Sequence, residues 1–112
     1  MTTPAGDMLR GTLELLILRT VKDEPRHGYG IGRSIEKATA DAVKVEEGSL
    51  YPALYRMEKR GWLAAEWGTS ELGRRAKFYR ITADGRSHLK RETREWSRFT
   101  DAVRSVLLPG EG

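Results

Sequence analysis

Just after Gly61 the apolar residues of this 112-residue chain change their spacing, and that change limits the fold more than any other feature. Before it the hydrophobic positions recur with the period of a helix. From Leu63 to Ile81 they alternate with a period of two, and beyond Thr82 the helical period returns. A run of helices interrupted once by a pair of strands is expected, which is a mainly α chain with a small β-hairpin.

The first helix is predicted over about Met8 to Lys22. Leu9, Leu13, Leu16, Ile17 and Val21 share one face, Met8, Leu15 and Leu18 fill a second, and Pro25 ends the segment. A helix that is apolar nearly all round is either central or shared with a second subunit. The second helix is predicted from about Tyr29 to Thr39, with Ile31, Ile35 and Ala38 on one face. Gly28, Gly30 and Gly32 at its start imply close helix approach.

The third helix is predicted from about Ser49 to Arg60, with Gly48 or Ser49 as its cap, Pro52 in the first turn and Gly61 as its stop. Leu50, Leu54 and Met57 face inward. Ser49, Pro52, Ala53, Arg56, Lys59 and Arg60 are left outward, with Tyr51 and Tyr55 on the flanks. Two strands follow, one alternating through Leu63, Ala65 and Trp67 and one around Lys77 to Ile81. The link between them, Thr69 to Ala76, is too long for a tight turn. Thr82 is the expected N-cap of a last helix from about Ala83 to Leu107.

That last helix carries a seven-residue repeat. Leu89, Trp96 and Val103 occupy one heptad position, and Glu92, Phe99 and Val106 lie three residues after each. A small domain cannot bury so long and narrow a seam, so pairing with a partner helix is expected. The alternative is a seam folded back onto the chain's own first helix. Residues 1–82 are read as a winged-helix domain and 83–108 as a dimerisation helix, together one compact unit. The dimer interface is assigned to Leu9, Leu13, Leu16, Leu89, Trp96, Phe99, Val103 and Val106.

Several chemistries lack their parts. There is no Cys and there are only two His, His27 and His88, with no metal-ligand spacing and no nucleophile elbow, so no enzyme, metal or cofactor is expected. Gly28-Tyr29-Gly30-Ile31-Gly32 looks faintly like a phosphate loop, yet no strand precedes it and no Lys-Ser/Thr follows; helix packing explains it better. Glu46 and Glu47 are read as partners of a helix dipole. The longest apolar run, Leu15 to Leu18, is far short of the ~18 residues of a membrane span, and the start does not read as a signal peptide. A cytoplasmic protein with no membrane partner is expected.

Charge is the unusual part of the composition. Asp, Glu, Lys and Arg make up 32% of the chain, and 20 Lys and Arg against 16 Asp and Glu leave +4, which calls for an anionic partner. Much of that excess lies in one place: Arg74, Arg75, Lys77 and Arg80 oppose only Glu71 on the hairpin. Helix, helix, helix, basic hairpin, helix is the order of a winged helix-turn-helix with a long C-terminal dimerisation helix, whose third helix enters the DNA major groove. Ser49, Tyr51, Pro52 and Arg56 are candidates for reading bases, and Arg56 could pair bidentately with guanine, worth about 1–3 kcal/mol of discrimination. Lys59, Arg60, Arg74, Arg75 and Lys77 are assigned to phosphates, which position the protein without reading sequence. The rival reading is a winged-helix module that binds protein and no DNA.

Four segments in order resemble the PadR-like transcriptional regulators, specifically the short subfamily with one C-terminal helix. They are Leu9-Arg10-Gly11-Thr12-Leu13, His27-Gly28-Tyr29-Gly30-Ile31, Gly48-Ser49-Leu50-Tyr51-Pro52-Ala53-Leu54, and Arg75 to Gly85. The resemblance implies a homodimeric repressor on palindromic double-stranded operator DNA, joined through its first and last helices. It places Tyr29, Ser49, Tyr51 and Pro52 at the DNA face and Lys77 on the wing. It also implies response to a small aromatic or phenolic effector, for which Trp96 and Phe99 are the stacking candidates. The wing departs from the commoner pattern, with no Pro near Gly73 and no basic residue at Ala76.

Overall fold

The computed structural model describes the backbone of residues 4–110 and the side chains of residues 11–110. Helix α1 spans Pro4–Thr20, strand β1 Arg26–His27, α2 Gly28–Ala38, α3 Glu47–Lys59, β2 Leu63–Thr69, β3 Arg75–Ile81 and α4 Ala83–Leu107. The side chain of Leu9 lies outside the described residues. Among those described, no helix is long and apolar enough to cross a membrane.

Helix α1 begins earlier than its apolar pattern, at Pro4, whose fixed φ suits a first helical position. It closes before Lys22, with the Thr20 hydroxyl donating to the Leu16 carbonyl at 2.7 Å. Its two apolar faces are used differently. Ile17, Leu18 and Val21 are fully buried against Ile31 and Ile35 of α2 and Leu50, Ala53, Leu54 and Met57 of α3, while Leu13, Leu15 and Leu16 are only half-covered. Each fully buried aliphatic side chain contributes about 1.5–3 kcal/mol relative to exposure.

Three local expectations are corrected. Ala53, expected to point outward, is fully buried, because it falls one turn before Met57 on the inward stripe. The cap of α3 is Glu46, with no side-chain cap bond, rather than Gly48 or Ser49. Pro52 consequently sits past the first turn, where it has no N–H to donate to the preceding turn, on an exposed stretch. Gly61 does stop the helix, at φ +80°.

The hairpin is longer and its loop shorter than the alternation implies. Leu63 pairs with Ile81 and the ladder continues to Thr69 opposite Arg75, leaving a five-residue loop in which Gly73 takes φ +75°. The sheet also has a third strand: β1 pairs antiparallel with β3, Arg26 opposite Tyr79 and His27 opposite Phe78, giving the order β1-β3-β2. Two residues contain no readable period, which is why β1 is invisible in the sequence.

Thr82 caps α4 as expected, its hydroxyl accepting from the Gly85 amide at 3.0 Å and donating to the Gly61 carbonyl at 2.6 Å. Gly85 lies against the Trp62 carbonyl and the Ile81 side chain, so closely that no Cβ fits there. One turn on, His88 stacks on Trp62 with ring centroids 3.8 Å apart, and Leu89 joins the core at 8% exposure. Leu89 is therefore covered by its own chain. The rest of the seam is not: Trp96, Phe99, Val103 and Val106 all stand exposed on an arm that stretches the molecule to 52 Å in a body otherwise 32 by 28 Å.

Two stability predictions follow from this junction. Gly85→Ala forces the start of α4 off Trp62 and is expected to destabilise the domain by about 1–3 kcal/mol or more, read as a lower urea midpoint. The second concerns pH. Burial against Trp62 is the main cause that pushes the His88 pKa below its ordinary value, with Arg91 acting in the same direction and Glu92 opposing it. The folded form therefore favours neutral His88. Stability is complete above the unfolded value of about 6.5 and declines as pH falls through the lower folded value. Thermal melts between pH 7.5 and 5 should show this loss, and His88→Phe should flatten it; an unchanged slope in the variant would refute the assignment.

Candidate nucleic-acid interface

The exposed side of α3 is built by elimination. With Leu50, Ala53, Leu54 and Met57 turned inward, the helix presents Ser49, Tyr51, Pro52, Tyr55 and Lys59 to solvent. Lys59 lies over the Tyr55 ring at 5.1 Å. Tyr55, left on a flank by the sequence reading, is thus part of the exposed row; its position four residues after Tyr51 is the signal that marks it.

The start of α2 borders this row. His27 caps α2, its Nδ1 accepting from the Gly30 amide at 3.1 Å, while its ring meets Phe78 of β3 edge-on at 5.4 Å. Gly28 lies under the Tyr51 ring, where an added Cβ would come within 2.8 Å of Cε1. A residue without a side chain is what lets Tyr51 lie against the first turn of α2. Tyr29 follows immediately and is widely exposed.

The wing supplies cations of two kinds. Arg74 is exposed in the loop, and Arg75 lies over the exposed Trp67 ring at 4.9 Å. Lys77 is different. On the same face of the sheet as Tyr79, it reaches Glu58 of α3 at 3.0 Å and fastens the wing to that helix. The hydrogen bond that Lys77 donates to the Glu58 carboxylate is the main cause that raises the Lys77 pKa, so the ammonium stays charged across the physiological range. Burial likewise raises the Tyr79 phenol.

The basic end of α3 is also engaged. Arg56 Nε lies 3.4 Å from Oε2 of Glu14, and Arg60 Nη1 lies 3.9 Å from the same oxygen. Arg60 also sits over Trp62 at 5.1 Å. The expected site residues therefore divide into Tyr29, Ser49, Tyr51, Pro52 and Lys59 on one open surface, Arg74 and Arg75 at the wing tip, and Arg56, Arg60 and Lys77 in ion pairs within the chain. No sequence expectation falls on Glu14. Its signal is there, since it precedes Ile17, Leu18 and Val21 by three, four and seven residues, the spacing of a buried position.

Two open concavities lie between α1 and α4. One, of about 940 Å³, is lined by Leu15, Leu16, Leu89 and Trp96 with Arg86 and Arg94 at its edge. The other, of about 400 Å³, joins Glu14 and Arg60 to Trp62, His88, Trp96 and Phe99. Trp96 borders both.

The same fold occurs in known proteins. The model of the transcriptional regulator PadR-like family matches residues 17–91. A transcriptional regulator of Mycobacterium tuberculosis is 32% identical over 98 residues, 88% of this chain and 85% of that one. The structure of a transcriptional regulator from Clostridium thermocellum superposes with a TM-score of 0.81 at 29% identity, covering 90% of this chain and 98% of that one. A PadR-like transcriptional regulator from Bacillus cereus gives 0.76 at 32% identity, covering 91% and 97%. With the family match spanning most of the chain, and the fold and sequence agreeing across its length, the protein belongs to the PadR-like family of transcriptional regulators.

Proposed function

We propose that this DNA-binding regulator acts as a homodimeric repressor on a palindromic operator and is released by a small planar aromatic or phenolic compound. The observation that carries the DNA reading is the open row on α3 between the exposed start of α2 and a wing tip bearing Arg74 and Arg75. In this reading α3 enters the major groove, where Ser49, Tyr51 and Pro52 meet base edges, joined by Tyr55. Tyr29, Lys59, Arg74, Arg75 and Lys77 lie along the backbone, the last of these holding the wing through Glu58 as well, while Arg60 stays with Glu14.

Dimerisation is supported by the uncovered seam. Phe99 is 52% exposed and Val106 79%, on a face whose polar neighbours cannot shield them, and a second copy of α4 laid along this stripe buries it in heptad register. Leu13 and Leu16, half-covered on α1, extend the same surface. Two recognition helices related by that symmetry would meet half-sites one helical turn apart, ~34–36 Å. The effector reading rests on Trp96, which stands between two concavities that a partner subunit would roof, with Phe99 one turn on.

Two tests separate these roles. Arg74→Ala and Arg75→Ala should weaken binding to operator and scrambled duplex alike and lower the salt slope by about one, whereas Tyr51→Ala should change the preference between the two. Anisotropy titrations at several salt concentrations read both quantities, and wing variants with the wild-type slope would remove the wing from the backbone. For the dimer, Phe99→Glu should sediment as a monomer and lose the operator. Trp96→Ala should remain dimeric and keep the operator but no longer release it to a phenolic probe; a dimeric Phe99→Glu would place the interface elsewhere.

A further inference from the structure

We propose that Glu14 is a positioning residue for DNA recognition: it holds Arg56 away from the duplex, and draws in Arg60, so that α3 is aimed by a contact with α1 and reads DNA with neutral side chains. This rests on the DNA-binding reading and deepens it, since it reassigns a cation on the recognition helix.

Glu14 is the one buried charged residue among those described, at 7% exposure, in a helix that is otherwise apolar on this side. A carboxylate in that position needs a cation and hydrogen bonds to be tolerated. Arg56 supplies the nearer partner through Nε at 3.4 Å and is itself only 30% exposed. Arg60 approaches the same oxygen at 3.9 Å, and its guanidinium is steadied by the Trp62 ring, which stacks in turn on His88 of α4. The two arginines lie one turn apart on the flank of α3 that faces α1, not on the row of Tyr51, Tyr55 and Lys59.

Transfer of Arg56 to a phosphate or a guanine would strip the nearer partner from a buried carboxylate. An exposed lysine surrenders nothing comparable, and Lys59 is such a lysine, resting over Tyr55 at 5.1 Å. Two of the three cations at this end of α3 thus serve the protein's own geometry. The helix carries little free charge into the groove, which keeps its hold on arbitrary DNA low relative to its hold on an operator.

Salt-dependent titrations of Glu14→Gln, Arg56→Gln and the double variant, on operator and on scrambled duplex, test this. Glu14→Gln keeps the shape of the side chain but frees Arg56. Its salt slope should steepen by about one and its preference for operator narrow several-fold. Arg56→Gln should bind the operator several-fold more weakly, through a less well aimed α3, while keeping the wild-type slope. In the double variant the steepening should vanish, because there is no freed cation left to reach a phosphate. A slope reduced by about one in Arg56→Gln alone would overturn the proposal, since Arg56 would then be touching the backbone directly. That single variant decides the matter even if Glu14→Gln folds poorly. Failure of the wild-type chain to bind DNA would instead sink the DNA reading, and this inference with it.

Discussion

Helix α1 is the element on which the rest of the domain depends, because it is apolar on nearly every side and must be surrounded. It packs against α2, α3 and α4, and Ile17, Leu18 and Val21 are buried almost completely. A helix in that position cannot carry a charge unless a neighbour answers it. Glu14 is answered from α3 by Arg56 and Arg60, so the helix that organises the core is also tied to α3 through a buried carboxylate.

The wing is held by small, separate devices rather than by a core of its own. Tyr79 and Ile81 bury their side chains beneath it, Lys77 reaches across to Glu58, and β1 adds two residues to its open edge. His27 serves two of these attachments at once, capping α2 and meeting Phe78 edge-on. Toward the tip these supports give out, and there Arg74, Arg75 and Trp67 are exposed. A surface arranged this way has a fixed base and a free cationic end, suited to a backbone contact that tolerates variation in the duplex.

Helix α4 divides at about Glu92. Its first half is part of the domain, fastened by the Thr82 cap, the close contact at Gly85, the His88–Trp62 stack and Leu89. Its second half repeats the same heptad spacing, and there Trp96, Phe99, Val103 and Val106 stand exposed. Trp62 belongs to both worlds, since it touches α4 on one side and Arg60 at the end of α3 on the other. His88 of α4 and Arg60 at the end of α3 are therefore joined through a single indole.

The order of elements, the inward stripe of α3 at Leu50, Leu54 and Met57, the Thr82 cap and the Gly61 stop were legible in the sequence because each depends on residues within one or two turns of one another. The bounds of α1 and α3 were less so, since apolar spacing marks where a helix is buried rather than where its hydrogen bonds begin. Ala53 was misjudged because alanine is small enough to suit either face. Strand β1 exists only because β3 offers an edge to pair with, and no two-residue segment can announce that. The charges show the same division. Sequence alone determined how many cations lie on α3 and the wing, through composition and spacing. Only the tertiary structure decided which of them are free, because an arginine is available to DNA or committed to a carboxylate according to what the fold brings within a few ångströms of it, and Glu14 is 42 residues away from Arg56 along the chain.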